Sequence, residues 1–162
     1  MIWFSNNKDV ITAAIALLAL VVSLVTVYLG GKQQQREAYR EMYGTLMSDD
    51  LHRGRWMIYK IKSSSDIPPE DPDYRLVLRT LGVFDNLAMF VDKRVIPEKW
   101  ALDVWHHPLQ GMRKGAEVLR EANRNSLQPG LPWPQLWTLF DKAETYRSNL
   151  ACCTGGASPR RA

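Results

Sequence analysis

The chain has 162 residues, with 21 Lys and Arg against 17 Asp and Glu, and a formal net charge of +4. That length allows one modest hydrophobic core beyond an N-terminal apolar segment, and it excludes two full domains. Basic and acidic residues are interspersed without a basic stripe, so we expect no nucleic acid among the partners. The two cysteines, Cys152 and Cys153, are adjacent, which excludes a disulfide framework.

An uncharged apolar segment runs from Val10 to Leu29. At ~1.5 Å per residue, a helix of this length spans roughly 30 Å, the thickness of the hydrocarbon core of a bilayer. The sequence therefore predicts a transmembrane helix over residues 10–30, preceded by a short extracytoplasmic N-terminus over residues 1–9. The alternative is a cleaved signal peptide, whose apolar region is usually shorter, about 7–15 residues. We favour the uncleaved anchor.

Positive charge is concentrated after the apolar segment. Lys8 precedes it, whereas Lys32, Arg36 and Arg40 follow it. By the positive-inside rule, we expect a single-pass protein of the inner (cytoplasmic) membrane, with its N-terminus outside and its domain in the cytoplasm. The three basic residues recur every four positions and are predicted to contact lipid headgroups. The alternative is a solvated helix face that neighbouring acidic residues neutralise.

Small residues recur along the apolar segment at spacings of four and three. This spacing places them on one stripe of a helix, and small residues let membrane helices approach closely. The stripe predicts a contact face for self-association or for a membrane protein partner, although small residues are also common in such helices. The residues of this stripe are Thr12, Ala16, Ala19, Ser23, Thr26 and Gly30.

The remainder of the chain is predicted to be all-α. Apolar residues recur at helical spacing and no segment alternates at period two, which indicates an irregular cytosolic bundle of about five helices over residues 32–150. Gly30 and Gly31 are predicted to loosen the first helix, and Pro108 is predicted to interrupt or restart a later one. The predicted helices cover residues 33–47, 48–61, 72–93 and 97–125, and a last one from 132 or 134 to 149. Residues 151–162 are predicted to be a disordered tail.

Sequence patterns in the predicted bundle indicate where its second helix begins and which helix faces are buried. Ser48 is expected to cap the second helix, with Asp49 and Asp50 in its first turn. A Trp-rich face from Trp100 to Trp137 is interpreted as core, with a partner groove as the alternative. The predicted buried face of the helix after Pro72 consists of Tyr74, Val77, Leu78, Leu81, Phe84, Ala88 and Val91.

Several short motifs accompany this order of elements. They are Ser48-Asp49-Asp50 with Arg53 and Arg55, Leu81 to Ala88, Val95-Ile96-Pro97 before Trp100 and Trp105, and Trp133 to Trp137. Together with the anchor, the chain resembles an uncharacterised bacterial family, domain of unknown function 4760. The resemblance implies an N-terminal membrane helix and a helical cytosolic region, and it carries over no catalytic residues.

No catalytic or cofactor-binding motif occurs in the chain, so no catalytic, cofactor or metal residues are predicted. The best alternative is a membrane-bound metal-binding protein or enzyme that uses Asp49, Asp50, His52 and His106, because carboxylate and imidazole groups bind zinc or iron. Against it, the spacing matches no metal motif, and the His106-His107-Pro108 run is interpreted as a solvent-facing helix junction.

Arg53 and Arg55 are expected to pair with nearby acidic residues rather than to bind a phosphate. The favoured function is a membrane-tethered helical interaction or scaffold module, non-catalytic and without cofactors. Its expected partners are the lipid bilayer and either a second copy of the chain or a membrane protein.

Overall fold

The structure is a computed structural model that describes residues 3–124 and 133–147. Within these residues it is all-α, which confirms the predicted fold class. The elements are α1 (Trp3–Leu46), α2 (Asp49–Lys60), a 3₁₀ turn (Ser64–Asp66), α3 (Pro72–Asp92), α4 (Glu98–Arg124) and α5 (Pro134–Thr145). The chain divides into two compact units, Met1–Glu37 and Ala38–Ala162. Predictions about residues 125–132 and about the tail from residue 148 onward lie outside the described residues.

The first unit consists of the N-terminal part of α1. From Ile11 onward this helix is long and apolar enough to cross a membrane, a character that an N-terminal signal sequence shares. Thr26 Oγ1 donates a hydrogen bond to the Val22 carbonyl at 2.8 Å, which satisfies the hydroxyl within the helix. The predicted loosening at Gly30 and Gly31 is wrong, because α1 is continuous through both. Each glycine costs only about 1 kcal/mol relative to alanine, too little to end a long helix.

The second unit begins within α1 and holds the bundle. Tyr39 lies on the last turns of α1, where its hydroxyl donates to the Trp100 carbonyl of α4 at 3.1 Å. Burial raises the pKa of the Tyr39 hydroxyl. These contacts join the end of α1 to the packed helices of its own unit.

Helix α2 begins after Ser48, as predicted, but the predicted side-chain cap is wrong. The Ser48 carbonyl accepts a hydrogen bond from the His52 amide at 2.9 Å, whereas its hydroxyl makes no capping bond. Asp49 and Asp50 occupy the first turn, where carboxylates interact favourably with the helix dipole.

The loop after α2 contains a 3₁₀ turn that the helical periodicity did not reveal. Ser63 and Asp66 form a capping box in which the Asp66 carboxylate accepts from the Lys62 and Ser63 amides at 2.7 and 2.9 Å. These backbone hydrogen bonds lower the pKa of the Asp66 carboxyl. Helix α3 then begins at Pro72, where Asp71 caps it by accepting from the Asp73 amide at 2.8 Å.

Helix α4 continues through Pro108, so the predicted interruption is wrong. A proline inside a helix costs about 3 kcal/mol, because it removes one hydrogen bond and crowds the preceding turn. Trp105, Leu109 and Met112 are buried on either side of it. Each buried side chain of this kind contributes about 1.5–3 kcal/mol, so their packing outweighs the cost of the proline.

The core lies between α2, α3, α4 and α5. Helix α3 packs on α2 and α5, and α4 packs on α2 and α5. The predicted buried face of α3 is confirmed except for Tyr74 and Leu78, which are half-buried. The largest fully buried side chains are Phe84, Phe140, Leu46, Leu51, Ile58, Leu81, Leu87, Ile96, Leu102, Leu109, Met112 and Leu119.

The start of α5 is held by a residue from α3. Asp85 Oδ1 accepts hydrogen bonds from the Gln135 and Leu136 amides at 2.9 and 2.8 Å. These amides belong to the first turn of α5, where no earlier helical carbonyl can reach them. Trp133, which immediately precedes the helix, has a left-handed backbone with φ of 57°. Asp85 thus acts as a cap supplied from a distant part of the chain.

Replacing Asp85 by alanine is expected to lower the free energy of unfolding by about 1–2 kcal/mol, because two amides of α5 lose their acceptor. Chemical denaturation followed by tryptophan fluorescence measures this change. Asn86→Ala is the matched control, because Asn86 is exposed and adjacent on α3. Equal stability of the two variants would contradict the capping role.

Candidate interaction groove

The bundle carries an open groove, here called the aromatic groove, between the end of α1, α2 and α4. Its volume is about 380 Å³, within the range of ligand and side-chain binding sites. Three of the four aromatic side chains that line it come from α1 and α2. The lining residues are Tyr43, Met47, His52, Arg55, Trp56, Tyr59, Val104, Trp105 and Pro108.

Large apolar side chains of this groove are exposed to solvent. Five of its lining residues have between 38% and 56% of their surface exposed; they are Tyr43, Met47, Trp56, Tyr59 and Val104. In the described part of the second unit, Met89 is the other exposed large apolar residue, with 37% of its surface exposed, and it lies outside the groove. Scattered exposed apolar residues are ordinary, whereas a contiguous patch marks an interaction site.

The floor of the groove is the Trp105 ring. This side chain is buried, and its ring centroid lies 6.0 Å from that of Tyr43 and 5.6 Å from that of Phe84, the latter edge-on. Its indole Nε1 has no hydrogen-bond partner among the described residues. A buried donor without an acceptor costs about 1–3 kcal/mol. The floor is therefore a buried, packed aromatic ring that carries one unsatisfied polar atom.

Arg55 lies beside this floor and is only 6% exposed. Its Nη1 donates to the Leu46 carbonyl at 3.0 Å, and its Nη2 donates to His52 Nδ1 at 3.1 Å. Its Cζ lies 4.9 Å from the centre of a Trp105 ring, a cation–π contact. Burial lowers the pKa of the guanidinium, which nevertheless stays charged because arginine is the most strongly basic side chain.

The expected ion pairs are confirmed for Arg53 and wrong for Arg55. Arg53 Nη2 donates to both carboxylate oxygens of Asp73 at 3.1 and 3.0 Å. Arg55 instead bonds the Leu46 carbonyl, because the last carbonyls of α1 lack intrahelical donors and an arginine can supply them. The two arginines, two residues apart on α2, therefore have different roles.

A second open cavity, of about 360 Å³, adjoins the groove and shares Trp56 with it. Lys60 Nζ lies 3.2 Å from the centre of a Trp56 ring. Arg53 and Asp73 also line this cavity, and these two charged groups are paired with each other. The aromatic surface of α2 thus extends from the groove into this cavity.

The structure does not assemble the alternative metal site. Asp49, Asp50 and His52 are exposed at the start of α2, whereas His106 is buried and its Nδ1 donates to the Leu102 carbonyl at 2.7 Å. No three His, Cys, Asp or Glu side chains of residues 3–124 and 133–147 are grouped so that they could hold a metal ion. The solvent-facing interpretation is wrong for His106, because α4 continues through Pro108 and keeps this position on its core face. His107 is exposed.

The Trp-rich face contributes mainly to the core. Trp105 is buried, and Trp100, Trp133 and Trp137 are half-buried. The exposed tryptophan of the groove is Trp56, which the sequence interpretation did not select. A sequence signal for an exposed aromatic surface existed on α2, because Trp56 and Tyr59 lie next to the positions that the short helix buries.

The residues predicted to contact membrane components lie on α1. Each is exposed along that helix. Lys32 Nζ lies 4.6 Å from the Tyr28 ring centroid. Two predictions about these residues stay predictions. One is that the small-residue stripe contacts another membrane helix, and the other is that the basic residues contact lipid headgroups. The stripe is Thr12, Ala16, Ala19, Ser23, Thr26 and Gly30, and the basic residues are Lys32, Arg36 and Arg40.

No protein-family model, curated protein or solved structure matches this chain. Membership of the domain of unknown function 4760 family therefore stays a prediction.

Proposed function

We propose that this protein is a membrane-tethered helical interaction module whose aromatic groove binds a partner protein. The observation that carries the proposal is the contiguous exposed apolar surface of the groove. Tyrosine, tryptophan, methionine and arginine are the residue types enriched in the cores of protein interfaces, where lysine and acidic residues are depleted. The groove has this composition, with Tyr43, Met47, Arg55 and Trp56 on its wall.

The tether in this proposal is the apolar part of α1. Its large apolar side chains are exposed on all sides between Ile11 and Leu29, as expected for a helix that lipid surrounds. Lys32, Arg36 and Arg40 support a cytoplasmic domain at the inner membrane and contact with anionic headgroups. Rapid labelling of Cys152 or Cys153 by an impermeant thiol reagent in intact cells would contradict this orientation.

Site-specific photo-crosslinking in the native membrane tests the groove. The full-length chain carries p-benzoylphenylalanine in place of Trp56, and we expect illumination to yield a covalent adduct with one protein. The matched control places the same probe at Met89, which is exposed on α3 outside the groove. No adduct from position 56, the same adducts from both positions, or an adduct with lipid alone would contradict the proposed function.

A further inference from the structure

The aromatic groove is cationic. Its lining residues include Arg55 and no acidic residue. Two other arginines of the domain are ion-paired: Arg53 with Asp73, and Arg113 with Asp141 and two glutamates. Arg55 differs, because its neighbours among the described residues are a carbonyl, an imidazole nitrogen and an indole ring.

The charge of Arg55 is held in an apolar environment. A guanidinium has five N–H donors, and the described residues accept hydrogen bonds from Nη1 and Nη2 only, one at each nitrogen. Carboxylates are the strongest common acceptors for the remaining donors, and charge-assisted bonds are stronger where water is excluded. The groove thus combines exposed aromatic walls with a largely desolvated cation.

We infer that the aromatic groove binds an apolar protein segment that carries an Asp or Glu side chain, whose carboxylate pairs with Arg55. The apolar neighbours of that acid pack on Trp56 and Tyr59. This inference rests on the proposed function and specifies the chemistry of the partner.

The shape of the groove favours a protein segment over a small amphiphile such as a fatty acid. A small ligand is normally buried over 70–90% of its surface in a cleft. Here the walls are open, and Trp56 and Tyr59 remain about half exposed. Open grooves between helices suit an amphipathic segment that lays its apolar face across them.

Two matched small probes test the charge requirement. Indole-3-propionate carries an apolar ring and a carboxylate, and indole-3-propionamide replaces the carboxylate by a neutral amide. Each is titrated into the full-length chain in phosphatidylcholine nanodiscs, and the ¹⁵N indole signals of Trp56 and Trp105 report binding. We expect the acid to bind at least about tenfold more tightly than the amide, because only the acid forms a charge-assisted pair.

Two arginine variants test whether Arg55 causes the preference for the acid over the amide. Arg55→Met keeps much of the side-chain volume and should remove the preference for the acid, whereas Arg53→Met, in which the exposed partner of Asp73 is lost, should retain it. Equal affinity for acid and amide in the unmodified chain would overturn the inference, and so would a preference that persists in Arg55→Met. The comparison in the unmodified chain decides the matter even where Arg55→Met fails to fold.

The crosslinking result separates the two proposals. A protein adduct from position 56 together with equal affinity for acid and amide would leave the proposed function standing and overturn the inference alone. No protein adduct from that position would overturn both. Where the proposed function and the inference both hold, the crosslinked segment of the partner should contain an Asp or Glu among apolar residues. Replacing that acid by the corresponding amide, Asn or Gln, should weaken binding about tenfold or more.

Discussion

Replacing Gly115 by alanine is expected to lower the free energy of unfolding of the helical domain by at least about 2 kcal/mol, toward the upper part of the range for overpacked cores. A Cβ at this position would overlap the Ile58 carbonyl oxygen and would lie 2.9 Å from Ile58 Cγ2. The first of these is a backbone atom, so no side-chain rotation relieves the clash. Helices α2 and α4 would have to separate. Denaturation of the full-length chain in detergent micelles, followed by tryptophan fluorescence, measures the loss.

The matched control for this substitution is Gly82→Ala in α3. No atom lies within 4 Å of a Cβ built at Gly82, and alanine favours a helix over glycine by about 0.5–1 kcal/mol. Gly82→Ala should therefore unfold at the same or a higher denaturant concentration than the unmodified chain. Similar unfolding midpoints for Gly82→Ala and Gly115→Ala would show that α2 and α4 do not approach as closely as described.

Replacing Phe84 by alanine is expected to lower the free energy of unfolding by about 3–5 kcal/mol, the usual cost of removing a large buried aromatic ring. Phe84 is fully buried on α3, and its ring meets Trp105 edge-on. The substitution leaves a cavity beneath the aromatic groove, so Trp105 loses the ring that supports it. Equilibrium unfolding measures the stability, and the emission of the tryptophans reports the loosened packing.

Trp56→Ala is the control that separates stability from binding. Trp56 is large but 56% exposed, and its described ring contact is with Lys60. Its loss should change the free energy of unfolding by less than about 1 kcal/mol, while it should abolish binding of the indole probes. If Trp56→Ala destabilised the domain as much as Phe84→Ala, the groove wall would belong to the core rather than to an interaction surface.

Local sequence signals predicted several helix ends correctly. Pro72 marks the start of α3, and Ser48 immediately precedes α2, as predicted. These ends depend on residues within one turn of the terminus, which is why they can be identified without tertiary information. The apolar periodicity of α3 predicted its buried face for the same reason, since one helix presents one stripe to its neighbours.

The incorrect predictions concern residues at which tertiary packing opposes the local conformational preference of the sequence. Pro108 disfavours a helix locally, but the burial of Trp105 and Leu109 on either side of it keeps α4 continuous. The same continuity places His106 in the core instead of at a solvent-facing junction. Asp85 carries no local signal as a cap, because the amides it accepts from lie 50 and 51 residues further along the chain.

The sequence by itself determined the all-α class, the apolar N-terminal helix and most helix boundaries, because these depend on composition, on periodicity and on residues near one another in the chain. Only the tertiary structure decided the aromatic groove. Tyr43, Trp56 and Val104 come from three helices and meet only when these helices pack. Arg55 likewise became a buried cation because α1 ends beside α2, where the Leu46 carbonyl requires a donor.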